Sequence, residues 1–156
     1  MLEIKLFLFK FKNIIIITKS KILKKKIKAK YQIIKRRFEK FIESKFFSQK
    51  WFLNNFELFH YYLPKDYDKN FSYLEIGSYE GLSALNILYN YKNSKVTTID
   101  LWDEGNINSE SLNVNFNEIE DRFNKNLNGY KYTKIKNDSV IALRELLKKK
   151  LFFDII

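Results

Sequence analysis

Residues Phe71–Ser83 read FSYLEIGSYEGLS, and the rest of the chain is organised around them. The apolar run Ser72–Ile76 predicts a short strand that ends abruptly at Gly77. Gly81 follows four residues later, and a helical pattern begins at about Leu82. Strand, glycine-bearing turn and helix form the geometry that aims free backbone N–H groups and a helix N-terminus at a bound ligand. Glycine suits such a turn because a side chain there would hold the ligand off the backbone. The chain has only four glycines, and two of them fall here.

Downstream, the pattern alternates. Lys95–Leu101 (KVTTIDL) is rich in β-branched residues and predicts a second strand. Trp102–Asn115 is a polar loop containing Gly105, and a helix is expected over Phe116–Asn128, stopped at Gly129 by a left-handed cap. A third strand is expected at Lys131–Lys136. Asn137 and Asp138 then cap a helix running to Lys150, with three lysines in its last turn as the helix dipole prefers. Phe152–Ile156 reads as a fourth strand. Strands alternating with helices imply an α/β fold with a Rossmann-like parallel sheet, right-handed crossovers and helices on both faces. The expected strand order is 3-2-1-4.

Upstream, the chain is chemically different. Residues 1–65 hold 17 Lys and Arg against 4 Asp and Glu, whereas residues 66–156 hold 12 against 14. The net charge of +11 therefore belongs to a basic leader, 1–65, and the domain from residue 66 onward is nearly neutral. An AT-rich coding sequence also yields many lysines, so the charge does not by itself select an anionic partner. Met1–Thr18 contains LFLFKFKNIIII, but lysines interrupt it, and its uncharged runs fall short of the roughly 20 residues of a spanning helix. The Ile14–Thr18 run is equally compatible with a strand or a loose end. In Lys19–Phe47, Leu23, Ile27, Tyr31, Ile34, Phe38, Phe41 and Phe46 recur at mostly three and four residues, the face of one helix. Its basic back suits weak contact with an anionic membrane through residues 19–47 or with a nucleic-acid backbone. An apolar stripe docked on the same protein or on a second subunit, with a solvated basic back, explains it more simply. No specific nucleic-acid partner is expected. A second aromatic helix, Gln49–Leu63, ends at Pro64. Its Trp51, Phe52, Phe56, Phe59 and Tyr62 line either a substrate entrance or, more simply, a core. His60, the lone histidine, reads as a surface or core residue rather than a catalyst. With no cysteine and one histidine, no metal site is expected. Lys65–Asn70 is the polar boundary between leader and domain.

The spacing Glu75-x-Gly77-x-x-x-Gly81 differs from G-x-G-x-x-G. Its context is more informative than the glycines. Asp100 ends the second strand, 19 residues beyond Gly81. Neighbouring parallel strands would place it beside the turn, where its two oxygens can accept both hydroxyls of a ribose. The simpler alternative is a loop cap.

LEIGSYEGLSALNIL, VTTIDLW, IEDRFNKNL, IKNDSVIAL and FFDII, in that order, resemble class I S-adenosylmethionine-dependent methyltransferases, nearest the branch acting on small molecules and sugars. The resemblance covers about Phe71–Ile156 and leaves the leader aside. It implies S-adenosylmethionine as cofactor and a small-molecule hydroxyl as methyl acceptor. Glu75 and the Gly77–Ser78 turn would hold the methionine end, and Gly81 would allow close approach of backbone and helix. Asp100 would bind the ribose, with Leu101 and Trp102 beside the adenine. Asp138 would accept from the adenine amine next to Ser139, although the residues alone show only a helix cap there. Relatives continue strand four into an acidic segment and three further strands. The 156 residues are therefore expected to be the N-terminal part of such a domain, inactive alone, with no catalytic base identifiable and with Phe152, Phe153, Ile155 and Ile156 exposed. The expected location is the cytoplasm, peripheral at the inner membrane surface where the leader's charge is used. Two readings compete with this one. The first is a non-enzymatic basic module on an α/β scaffold. The second is a nicotinamide-binding domain, disfavoured by the missing third glycine and by the acid two residues before Gly77.

Overall fold

Three short strands form the sheet that positions everything else. In the computed structural model, which describes residues 21–103 and 115–156, they are β1 (Ser72–Ile76), β2 (Lys95–Asp100) and β3 (Thr133–Lys136). β1 pairs with β2 and β2 with β3, both in parallel, with Tyr73 opposite Val96, Ile76 opposite Ile99 and Ile99 opposite Ile135. Parallel pairing brings the carboxyl ends of all three strands to one edge. Among the described residues five helices accompany the sheet: α1 (Lys21–Phe41), α2 (Phe56–Tyr62), α3 (Leu82–Asn90), α4 (Phe116–Asn126) and α5 (Ser139–Lys148). The apolar N-terminal stretch and the Gly105 loop lie outside the described residues.

Strand alternation sorts the core into two clusters, one on each face. Tyr73 and Val96 join the larger one with Leu85 and Tyr91 around α3 and with Ile119, Phe123 and Leu127 around α4. Leu74 and Ile99 face the other way, against Ala142 and Leu146 of α5. An apolar period of two on strands and near 3.6 on helices is what lets one sheet bury both faces.

The leader belongs to the larger cluster. Phe38 and Ile42 are buried there with Phe56 and Leu63, alongside residues of the α/β part. Burying an apolar side chain of this size contributes roughly 1.5–3 kcal/mol, so α1 is held by its stripe. Phe41 stacks on Tyr89 at 4.2 Å, and the Lys35 ammonium reaches the Leu53 carbonyl at 2.7 Å and Glu57 at 3.3 Å. From Ile27 to Phe41 the stripe is thus packing between elements of one chain, whereas Phe46 is 59% exposed. Trp51–Asn54 is a 3-10 turn rather than the start of the expected aromatic helix, which begins only at Phe56. Phe52, Phe56 and Phe59 pack inward, while Trp51 and Tyr62 are exposed. His60 is fully buried, its Nε2 3.1 Å from Asn86 Oδ1, and burial lowers its pKa to about 4.

The helices after β1 end within two residues of where they are expected, but the leader helix ends at Phe41, six residues short of the expected Phe47. Asn115 accepts from the Glu118 N–H at 3.4 Å and donates to its carboxylate at 3.1 Å, and Gly129 is left-handed at φ +86°. The fourth expected strand is a correction. Residues 152–156 make one isolated parallel bridge, Tyr73 with Ile155, rather than a ladder. The Asp154 carboxylate takes the Ser72 N–H at 2.7 Å, a donor that a longer ladder would use for itself. Phe152 is 80% exposed and Ile156 38%, but Phe153 and Ile155 are partly buried against the two clusters, not exposed as expected.

Candidate functional site

At the carboxyl edge of the sheet lies a cleft of about 190 Å³ lined by Ile76, Gly77, Ile99, Asp100, Leu101, Asn137, Asp138 and Ser139. This volume is below the roughly 300–1,000 Å³ of a whole small-molecule site. The lining carries two carboxylates and no basic side chain.

The glycines do different work. Gly77 extends β1 by donating to the Ile99 carbonyl at 2.9 Å and then turns at φ +78°. A Cβ built there meets nothing within 4 Å, so the space in front of this backbone is open. Gly81, at φ +82°, is closed in: its Cβ would lie 2.5 Å from Leu127 Cδ1 and 2.9 Å from Phe123 Cδ2. Its role is close contact between the turn and α4.

Between them Tyr79 is left-handed at φ +49°, as is Trp102 at φ +43°. Such conformations cost about 1–2 kcal/mol for a residue with a Cβ and persist only where their surroundings hold them. Asp100 does so for both. Its Oδ2 accepts from the Tyr79 N–H at 2.7 Å and its Oδ1 from the Trp102 N–H at 3.0 Å. The Trp102 indole N–H closes the loop on the Tyr79 carbonyl at 2.8 Å. Asp100 is therefore already a loop clasp. Each carboxylate oxygen keeps a further lone pair that can accept a ligand hydroxyl.

Glu75 lies beneath the turn, 7% exposed. Its Oε1 accepts from the Ser83 hydroxyl and from Tyr73 at 3.3 Å, whereas Oε2 has no partner. Burial raises its pKa to about 7 against the pull of the Ser83 hydroxyl. The Ser78 hydroxyl, in the turn itself, is also buried; it makes no full hydrogen bond, but it lies near enough to Glu75 to help hold the carboxyl's pKa down. A buried carboxylate with one bare oxygen is unfavourable unless a proton or a donor completes it.

Asp138 and Ser139 sit where β3 gives way to α5. Asp138 Oδ1 accepts from the Val140 N–H at 2.9 Å and the Ile141 N–H at 3.1 Å, the helix cap read from the sequence. The structure thus brings Gly77, Asp100, Leu101, Asp138 and Ser139 together on one lining and sets Glu75 and Ser78 under the turn. Gly81 and Trp102 stand behind. The Trp102 ring is buried between Phe123, at 4.6 Å between centroids, and the Lys134 ammonium, 4.4 Å from its centroid.

Sequence reasoning missed Ile76, Ile99 and Asn137, which flank motif residues and were findable by adjacency. It also missed Glu80, whose charge inside a glycine turn was the available signal. Glu80 is 1% exposed and receives the Ser48 N–H and hydroxyl, each at 2.7 Å, and the Arg122 guanidinium at 2.8 Å. No family model matches this chain, and no curated protein matches it.

Proposed function

We propose that the chain is an S-adenosylmethionine-dependent methyltransferase domain acting on a hydroxyl of a small molecule or sugar. The observation that supports this most is the charge of the cleft: two carboxylates and no basic side chain stand at the carboxyl ends of parallel strands beside an open glycine turn. Such a lining repels phosphate and so disfavours a dinucleotide. It suits a nucleoside that carries positive charge and offers hydroxyls. The bound cofactor would supply an electrophilic methyl group.

Each residue then has a task. Asp100 accepts the ribose hydroxyls on lone pairs that its clasp of Tyr79 and Trp102 leaves free. The open backbone at Gly77, with Ser78, meets the methionine end, and the bare Glu75 oxygen offers an acceptor for its ammonium group. Leu101 lies against the adenine and Trp102 backs it. Asp138 and Ser139 face the adenine amine. The 152–156 segment would take the fourth place in a 3-2-1-4 sheet. This reading places the protein in the cytoplasm. Calorimetry tests it: S-adenosylmethionine binds the chain, and Asp100→Ala weakens binding at least tenfold, since losing a charge-assisted hydrogen bond costs roughly 1.5–3 kcal/mol. Equal affinity in the variant would leave Asp100 a clasp only.

A second reading rests on α1, whose Arg36, Arg37 and Lys40 are exposed. No helix among the described residues is long and apolar enough to cross a membrane. The apolar stripe of α1 is used inside the protein, so membrane contact through this helix would be electrostatic and weak.

A further inference from the structure

The leader reaches the glycine turn through a strap, residues 45–51, between the two short helical turns Ile42–Ser44 and Trp51–Asn54. Residues 45–50 have no regular structure of their own, so their place is set by what they bond to. Those bonds converge on Tyr79 and Glu80. Ser48 holds the Glu80 carboxylate with its N–H and its hydroxyl, and that hydroxyl lies 3.3 Å from the Tyr79 hydroxyl. Trp51 stacks on the Tyr79 ring with centroids 5.4 Å apart. Asn126 ties the same two segments from α4: its Oδ1 accepts from the Phe46 N–H at 2.7 Å, and its Nδ2 donates to the carbonyls of Phe46 and Glu80. Lys45 adds a bond to the Asn126 carbonyl at 3.0 Å.

Tyr79 is thus gripped from two sides. The strap holds its ring and its neighbour Glu80, while Asp100 holds its N–H. A left-handed residue bearing a side chain needs such surroundings to stay in place. Loosening the strap frees Tyr79, and with it the carboxylate that its N–H orients.

We propose that the strap 45–51 is a positioning element of the cofactor site: Ser48, acting through Glu80 and Tyr79, sets Asp100, so strap docking and cofactor affinity are coupled. This rests on the functional reading above and extends it to leader residues that line no part of the cleft. Ser48 is exposed, but its hydroxyl is a donor to the buried Glu80, so Ser48→Ala also costs stability, and the Asp100→Asn background separates coupling from that loss.

The test uses the full chain with S-adenosylmethionine as probe, in Ser48→Ala and Ser48→Thr, each also combined with Asp100→Asn. Calorimetry gives affinity, and hydrogen exchange of the Tyr79 amide is followed without ligand. Ser48→Ala is expected to weaken binding roughly fivefold, at the low end of site-to-site couplings. Ser48→Thr, which keeps the hydroxyl, restores affinity. In the Asp100→Asn background Ser48→Ala adds nothing further, and Tyr79 exchange quickens in Ser48→Ala but not in Ser48→Thr. Unchanged Tyr79 exchange overturns the proposal whatever the affinities, as does a Ser48→Ala effect of equal size with and without Asp100. If the unsubstituted chain binds no S-adenosylmethionine, the functional reading falls, and Tyr79 exchange alone decides whether the strap positions the turn.

Discussion

Two buried carboxylates, five residues apart, stand on either side of the same glycine turn, and they are treated in opposite ways. Glu80 is saturated: two bonds from Ser48 and an ion pair with Arg122 complete it. Glu75 is left half-finished: its Oε2 makes no full hydrogen bond, and neither does the nearby buried hydroxyl of Ser78 in the same turn. Polar groups bury favourably only when their bonds are complete. The saturated side is where the turn is fastened to the leader and to α4, and on the unfinished side the proposed ligand would have bonds to make. The same division separates Gly81, packed against Leu127, from Gly77, which faces open space.

The glycines offer the largest test of that division. Gly81→Ala adds a left-handed penalty of about 1–2 kcal/mol to overpacking of about 1–3 kcal/mol against Leu127 and Phe123. Gly77→Ala incurs only the first. Urea denaturation should therefore rank Gly81→Ala well below Gly77→Ala in stability, and equal losses would erase the distinction between packed and open glycine.

Next comes the fastened carboxylate. Glu80→Ala leaves Ser48 and Arg122 without their acceptor. Losing hydrogen bonds to a charged group costs about 1.5–3 kcal/mol, and the partial exposure of Arg122 and its second partner Glu118 put the expected loss near the lower bound. A thermal midpoint unchanged from the parent chain would show that the strap adds nothing to the fold.

The unfinished carboxylate should respond to pH with the opposite sign. The folded state holds the Glu75 proton to about pH 7 against an ordinary 4.5, so this stabilisation is present below 4.5 and is lost as pH rises through 7. Glu75→Gln should then stabilise the protein at pH 8 by up to about 3 kcal/mol and change little at pH 4.5. His60 runs the other way. Its neutral form is favoured by burial, so its contribution is present above 6.5 and is lost as pH falls through about 4. The stability of the parent chain should peak between these limits, and a Glu75→Gln gain that is flat with pH would contradict the assignment.

How much of this could be read from the sequence depends on how far apart the partners lie. β1 was legible because Ser72–Ile76 is an apolar run bounded by Gly77, and the Asp138 cap was legible because a cap bonds within three residues. Asp100 was legible because its distance from the turn follows from parallel strands. The fastening of Glu80 was not, since Phe46 and Asn126 are 80 residues apart and nothing local in either announces the other. The same bonds explain why the leader helix ends near Ser44 rather than at Phe47: the chain turns extended at Lys45 as Asn126 takes the Phe46 backbone. Trp102 followed the strand-end pattern, yet its ring turned inward, because Tyr79 and Phe123 offered its N–H and its face partners that the sequence does not place.

The smallest expected effect lies outside the turn. Reversing Arg36, Arg37 and Lys40 together to Glu should reduce co-sedimentation with anionic vesicles at low salt, and the difference should fade as salt rises. Identical sedimentation of the parent and the triple variant would return the basic face of α1 to simple solvation.

The account's central claim is that the unfinished side of the turn is the ligand site. Titrating the full chain with S-adenosylmethionine while following backbone amides by NMR tests it most directly. The account predicts saturable shifts at Gly77, Ser78, Leu101, Asp138 and Ser139 on the cleft and turn, with α2 unmoved around His60. No shift at these amides, or shifts confined to α1, would contradict it.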